Sequence, residues 1–310
     1  MSVARGKVLM AIALRRLRCY FPRAMSALPK ITVVTPSFNG AATIRDTIES
    51  VARQDYPAVE HIVMDGGSTD ATVDILKEYP QLIWKSERDE GHYHAMNKGI
   101  ESATGEVVAV LNADDCYRPG ALRKVGEAFA ANPDWDGLFG DVVFVDGSGR
   151  EIYRREEAVF DYDVLRFGIG YVIHPTLFVK KSIYTKLGAF RYKVLKNSAD
   201  FEFVLRLGQA GCKIGHVPEL LVDYRWHVQG QSADARIQAN MARESRMVQM
   251  EHGLPDGLRG RILGAMVRGK RQLQKLRYRG KCDLVSGKWK LRKHMHEKTT
   301  FSSNIGLDKL

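Results

Sequence analysis

The 310-residue sequence has little cysteine, little proline and no long apolar run. Its four cysteines, Cys19, Cys116, Cys212 and Cys282, lie far apart and form no C-x-x-C. That excludes a zinc ribbon or a dithiol redox pair and fits a reducing compartment. No apolar stretch approaches the roughly 20 residues that span a bilayer as a helix. The longest near the start, residues 8–14, sits between Arg5 and Lys7 on one side and Arg15, Arg16 and Arg18 on the other. A secretory signal needs a longer apolar region and a small-residue cleavage site. These absences imply a cytoplasmic protein, soluble or peripheral on the cytoplasmic face of the membrane. Met25 is a second candidate start, because nothing before it is required by the later pattern.

Three phosphate- and acyl-handling signatures are missing as well. The first strand–helix turn holds one glycine, Gly40, where a dinucleotide site needs G-x-G-x-x-G. Gly264 to Arg271 comes near a P-loop, but Arg271 stands where the magnesium-binding Ser/Thr belongs, and a basic helical stretch surrounds it. No G-x-S-x-G is present, so a standard hydrolase elbow is excluded.

What is present is an ordinary globular composition, with 45% apolar residues and 27% charged. The charge is unevenly placed. Residues 1–30 carry seven basic residues and no acidic one, and residues 256–310 carry 15 basic against 4 acidic; from an overall +11, that leaves the centre at −7. Basic ends are often just solvated. Between 259 and 279, however, Ile262, Met266, Leu273 and Leu276 alternate with Arg and Lys at near-helical spacing. A basic amphipathic helix of this kind suits an anionic membrane surface. No nucleic-acid-binding motif or stacking platform accompanies it, so nucleic acid is not expected as a partner.

The centre alternates strand and helix. Residues 31–35, 61–64, 82–84 and 107–111 read as buried strands. Helices are expected over 41–53, from 69 through 76, over 91–102 and from 119 to about 131. That alternation implies a mostly parallel sheet flanked by helices, a Rossmann-like α/β fold. Beyond 137 the pattern is mixed. Strands are expected at 138–145, 151–155, 175–179 and 220–226, and helices from 181, over 201–208 and over 233–252.

Ligands of such sheets bind at the carboxyl ends of strands, and each polar cluster here follows a strand. Asp114 and Asp115 are adjacent carboxylates after an apolar strand; a hard divalent cation would relieve their repulsion. The plainer reading is a solvated turn capping the next helix. Asp65 ends a strand beside two glycines, and by itself reads as a turn aspartate. Asp200 opens a helix and by itself reads as an N-cap. His92 and His94, two apart, are poorly spaced as ligands of one helix face, and His174 before Pro175 reads as structural. His227, in a loop after the last strand, is placed to fold over the site as a metal ligand.

The segments VTPSFNGAATIRDTIESVARQDYP, VMDGGSTDATVDIL, DEGHYHAMNKGIESATGEVVAVLNADD, HPTLFVKKSIYTKLGAF and ADFEFVLRL together resemble the successive signatures of family 2 glycosyltransferases of the GT-A fold. The resemblance runs from about Ile31 to Ser232. It implies a basic N-terminal extension over 1–30, a GT-A domain over 31–232 and a basic helical C-terminal region over 233–310.

It also implies an inverting transfer from a nucleotide-diphosphate sugar to an acceptor hydroxyl, with Mg2+ or Mn2+. Thr35, Pro36, Phe38 and Asn39 match the first nucleotide-contacting loop, and Asp65 the acid that recognises the base. Asp89, Asn97 and Lys98 match the donor-side segment. Asn112, Asp114 and Asp115 fall in the acidic motif, with Asp114 and Asp115 as metal ligands, and Asp200 matches the catalytic base. His227 resembles a late metal- or phosphate-contacting histidine. Three positions depart from the commoner pattern: Asn112 and Gly66 each stand where Asp is usual, and Ala199 where Glu is usual.

The expected donor nucleotide is UDP first. The expected acceptor is a carbohydrate or lipid-linked acceptor, in cell-surface polysaccharide or glycolipid assembly. A catalytically silent nucleotide-sugar-binding or scaffold protein at the membrane is the alternative reading.

Overall fold

The computed structural model describes residues 27–226 and 235–286. His227 and residues 1–26 lie outside them. The elements run β1 (Ile31–Ser37), α1 (Ile44–Ala52), β2 (Val59–Asp65), α2 (Thr72–Lys77), β3 (Ile83–Ser86), α3 (His92–Ser102), β4 (Val107–Val110), β5 (Cys116–Tyr117) and α4 (Ala121–Ala131). They continue through β6 (Gly137–Val145), β7 (Glu151–Arg155), α5 (Tyr162–Phe167), β8 (Leu177–Lys180), α6 (Lys181–Leu187) and α7 (Ala199–Gln209). β9 (Ile214–Arg225), α8 (Ala235–Glu251) and α9 (Gly257–Ser286) complete the described chain.

The strands form one sheet in the order β3-β2-β1-β4-β8-β6-β9-β5, with β7 paired to β6. β3, β2, β1, β4, β6 and β9 all point the same way, and β5, β7 and β8 oppose them. The sheet is therefore mostly parallel, as the alternation implied. Successive side chains of a strand point to opposite faces, and both faces are covered. Val34, Val108 and Val110 join one core with Tyr93, Met96 and Ile100 of α3 and Phe203 and Leu207 of α7. Ile31, Val33, Val107 and Ala109 join another with Leu122, Val125 and Phe129 of α4. This two-sided burial is why β1 and β4 read as continuous apolar runs.

Two features position the site. α3 lies hard against the sheet because it has Gly99 at the contact; a Cβ there would stand 2.3 Å from a Val34 methyl. And β1 runs in register with β2 up to the pair Ser37 and Asp65, so their terminal loops emerge side by side. The chain steps outward from β1 to β2 and β3, then returns to place β4 on the other side of β1. The crevice between the ends of β1 and β4 is a topological switch point, where open α/β sheets bind ligands.

β9 is longer than expected. Pro218 lies inside it, where the ladder with β6 shifts register next to Asp141. A proline interrupts a strand pattern in sequence but is tolerated at such an irregularity. α8 and α9 belong to the main body: Val248 and Val267 sit in the first core, with Leu263 packed against it.

Candidate active site

The loop after β1 is fixed by the loop after β2. Asn39 adopts a left-handed conformation with φ 51°, which asparagine tolerates better than most residues. Its side-chain oxygen accepts from the Thr69 N–H at 2.9 Å, and its own N–H donates to the Ser68 hydroxyl at 2.7 Å. The Gly40 N–H donates to Thr72 and the Ala41 N–H to Asp70. Phe38, beside Asn39, is 65% exposed, an apolar surface of the kind a nucleotide base stacks on. Thr35 and Pro36 lie inside the sheet, with the Thr35 hydroxyl bonded to His61 Nε2 at 2.9 Å. They shape the strand end from below.

Asp65 is 1% exposed. Its carboxylate accepts from the N–H groups of Gly67 and Ser68 and from the hydroxyls of Ser68 and Ser86. Ser86, at the end of β3, was not among the residues expected at the site. Asp89 follows β3 and leans over Gly66, where a Cβ would meet its Oδ2 at 2.7 Å. The glycine that stands in place of the commoner Asp thus leaves room for the Asp89 carboxylate. The Lys98 ammonium pairs with Glu87 at 3.0 Å. The Asn97 amide donates to the Phe190 carbonyl and accepts from the Phe190 N–H. Asn97 therefore ties α3 to the segment before α7.

The acidic loop after β4 lies directly across from the loop after β1: a Cβ on Gly40 would touch the Ala113 Cβ at 3.6 Å. The two aspartates differ in environment. Asp115 is 1% exposed. One of its oxygens accepts from the Arg225 N–H and the other from the Asn112 amide, both at 2.9 Å. Burial pushes its pKa well above the usual carboxylate range, and the neighbouring Asp114 charge adds to this. Arg225 also donates to the Asp114 carbonyl, the Gly147 carbonyl and Asp46. Asp115 thus closes the loop against β9, and Asp114 is the less buried carboxylate of the two. Among the described residues no cluster of three His, Cys, Asp or Glu forms a metal cage. Asp114 offers an oxygen donor of the kind that Mg2+ or Mn2+ would take with few protein ligands.

Asp200 stands in the first turn of α7. The Tyr93 hydroxyl, at the start of α3, donates to its Oδ1 at 2.6 Å. His174 Nδ1 lies 3.8 Å from Oδ2. Burial pushes the His174 pKa down to about 4, the Asp200 charge opposing, so the ring is neutral at pH 7. Its Nε2 is buried, with no hydrogen-bond partner among the described residues. Val110, at the end of β4, and Asp200 line the same small cleft, together with His174, Leu177, Tyr184 and Phe190. His92 lies within the electrostatic reach of both Asp200 and Asp89. His94 stacks on Tyr192 with ring centroids 4.6 Å apart.

The contacts therefore close a circuit around the switch point: Asn39 to Ser68, Asp65 to Ser86, Gly66 to Asp89, Tyr93 to Asp200, Asp200 to the end of β4, and Ala113 back to Gly40. Tyr93, His174, Ser86 and Arg225 complete it, and none was singled out as a functional residue from sequence. Tyr93 had one signal, an apolar helical spacing with Met96 and Ile100 that hid a polar tip. Arg225 had none.

Known proteins share this architecture. Over 188 residues the chain is 32% identical to the PGL/p-HBAD biosynthesis glycosyltransferase of Mycobacterium bovis, covering 58% of this chain and 70% of that protein. It is 29% identical over 209 residues to an uncharacterized glycosyltransferase of Methanocaldococcus jannaschii, covering 64% and 71%. The crystal structure of S. aureus TarS 1-349 in complex with UDP superposes with a TM-score of 0.53 at 22% identity, over 69% of this chain and 65% of that one. The mannosyltransferase PcManGT from Pyrobaculum calidifontis, in complex with GDP-Man and Mn2+, gives 0.53 at 19% identity, over 88% and 79%. The fold is that of the GT-A glycosyltransferases. The model of glycosyl transferase family 2 matches residues 32–196, more than half of the chain. The chain is a glycosyltransferase and belongs to glycosyl transferase family 2.

Proposed function

We propose that this glycosyltransferase moves a sugar from a nucleotide-diphosphate donor to an acceptor hydroxyl in one inverting displacement. The observation that carries this reading is a carboxylate, Asp200, that accepts from the Tyr93 hydroxyl and lines one cleft with Val110, the last residue of the strand that leads into the acidic loop. The loops after β1 and β2, with Phe38, Asn39 and Asp65, receive the nucleoside. Asp89 and Lys98 face the donor from the end of β3 and from α3. Asp114 would hold a divalent ion, and Asp115 keeps that loop closed through the Arg225 N–H and the Asn112 amide.

When bound, the ion supplies Lewis-acid stabilisation of the charge that develops on the leaving diphosphate. Asp200 accepts the proton of the acceptor hydroxyl as that oxygen attacks the anomeric carbon. The Tyr93 hydroxyl fixes the carboxylate through Oδ1. Neutral His174 adds no competing positive charge. One displacement inverts the anomeric centre, and no second carboxylate nucleophile is required.

UDP is the first candidate for the nucleotide, since TarS is seen with UDP and UDP-GlcNAc; GDP is the second, since PcManGT is seen with GDP-Man. The naming of the Mycobacterium bovis relative for PGL/p-HBAD biosynthesis supports a carbohydrate or lipid-linked acceptor.

The test is thermal melting with UDP, GDP, TDP and CDP, each with and without Mn2+, on the native chain and on Asp114→Ala. A nucleotide at 100 times its Kd adds about 2.7 kcal/mol of apparent stability. The expected result is a metal-dependent shift with one nucleotide that is lost in Asp114→Ala. A folded protein that shifts with none of them contradicts the proposal. A shift without any hydrolysis of the matching sugar donor would instead fit the silent binding protein.

A further inference from the structure

The long helix α9 has two functional faces. One is docked. Arg271 is 2% exposed, with its guanidinium 3.7 Å from the Tyr171 ring centroid and 2.7 Å from Glu157. Lys275 also reaches Glu157, and Lys270 and Gln274 reach Asp161. Val267 enters the core between them. Several of the basic residues that make this segment read as a charged surface helix are therefore turned inward, bound to carboxylates of the segment before α5.

Among the described residues nothing covers the opposite face. Leu258 is 65% exposed, Ile262 53%, Met266 66%, Leu273 58% and Leu276 67%. At 3.6 residues per turn these five side chains fall within an arc of about 80°, centred opposite Val267 and Arg271. Exposed arginines border the stripe on both sides, Arg261 and Arg268 along one edge and Arg259 and Arg277 along the other. No acidic residue occurs between Asp256 and Asp283.

We propose that this outer face of α9 is a membrane-binding surface that lies flat in the interface of an anionic bilayer. An apolar stripe sinks between lipid headgroups, and basic rows on either edge meet their phosphates; this is the arrangement of in-plane amphipathic helices. Charge complementarity selects the occupant. A second copy of the chain would set one wholly basic surface against another. Nucleic acid would use the arginines and leave five large apolar side chains in water. The body holds the helix by its inner face, so the outer stripe is presented without unfolding. The proposal stands on α9 alone and is independent of the donor chemistry.

The experiment is flotation of the full chain with phosphatidylcholine vesicles, plain or with about one third phosphatidylglycerol. Two variants accompany it, Ile262→Glu with Met266→Glu, and Arg259→Ser with Arg261→Ser, Arg268→Ser and Arg277→Ser. All of these positions are exposed, so melting temperature and the nucleotide-induced thermal shift should stay as in the native chain. The expected result is binding to the anionic vesicles only, weakened by salt and reduced about tenfold or more by each variant. Binding that ignores Ile262→Glu with Met266→Glu overturns the proposal by assigning attachment to other basic segments. So does a native dimer that these two substitutions dissociate, which assigns the face to a second copy. Absence of binding to anionic vesicles overturns it outright.

Discussion

The two halves of the sheet hold their polar groups in different ways. From β1 to α4 the buried carboxylates Asp65, Asp115 and Glu60 are held mainly by N–H, amide and hydroxyl groups, whereas the more exposed ones there form ion pairs. Asp65 is bonded by its own loop and by Ser86, Asp70 by Thr72 and the Ala41 N–H. From β6 onward two buried carboxylates, Glu157 and Glu202, meet charged side chains directly. Glu157 binds Arg155, Arg271 and Lys275, and Glu202 binds Arg206 and Arg191. Arg271 is 114 residues from Glu157 in sequence. The difference follows the task of each half. The loops proposed to receive the donor are organised by short neutral donors such as Ser68, Ser86 and the Thr69 N–H. The second half holds Asp200 through the neutral Tyr93 hydroxyl and docks one long helix through ion pairs.

The largest test of this division is Asp200→Asn. It removes a proton acceptor from the second half and leaves the loops of the first untouched. Turnover should fall about 100- to 10,000-fold, the range typical of a general base, with nucleotide binding unchanged. Tyr93→Phe should give a smaller loss of turnover, with the same binding.

Next is the ion-pair side. Glu157→Ala strands Arg271 in a nearly dry site, and breaking a buried pair on one side costs about 3–5 kcal/mol. Glu157→Gln combined with Arg271→Met should restore most of that in chemical denaturation. If Glu157→Ala alone is harmless, charges do not organise this half.

Asp115→Ala leaves the Arg225 N–H and the Asn112 amide without an acceptor, at about 1–3 kcal/mol in the same assay. Asp115→Asn keeps an acceptor for Arg225 and removes a disfavoured buried charge, so it should cost less than Asp115→Ala.

The smallest effect is pH-dependent and belongs to the first half. Burial works against the Glu60 charge, but the Thr104 N–H, the hydroxyls of Thr104 and Thr32, and Lys30 together hold its pKa down to about 2. A folded pKa below the unfolded one stabilises at neutral pH. That stability is complete above the ordinary glutamate value of about 4.3 and is lost as pH falls toward 2. Glu60→Gln should flatten the acid limb of a stability–pH profile in that window and leave the rest unchanged.

Legibility from sequence follows the same divide. β1, β2 and β4 were readable as apolar runs, and the clusters at Asn39, Asp65 and Asp114 as strand-end loops, because local pattern dictates both. The antiparallel insertion of β8 between β4 and β6 was not readable, since nothing in LFVK says which neighbour it joins. Nor were Tyr93 and Arg225, whose partners Asp200 and Asp115 lie 107 and 110 residues away. The basic stretch at 259–279 was read as a helix with charged surroundings, and it is one. That Arg271 and Lys275 turn inward follows from Glu157, far away in sequence.

In the proposed reaction the first half binds the donor and the second supplies the base. The direct measurement is nucleoside-diphosphate affinity and donor hydrolysis on three forms of the chain: native, Asp114→Ala and Asp200→Asn. The expected result is that Asp114→Ala loses both, whereas Asp200→Asn keeps the affinity and loses the hydrolysis. Full hydrolysis by Asp200→Asn, or affinity indifferent to Asp114→Ala, would contradict the claim.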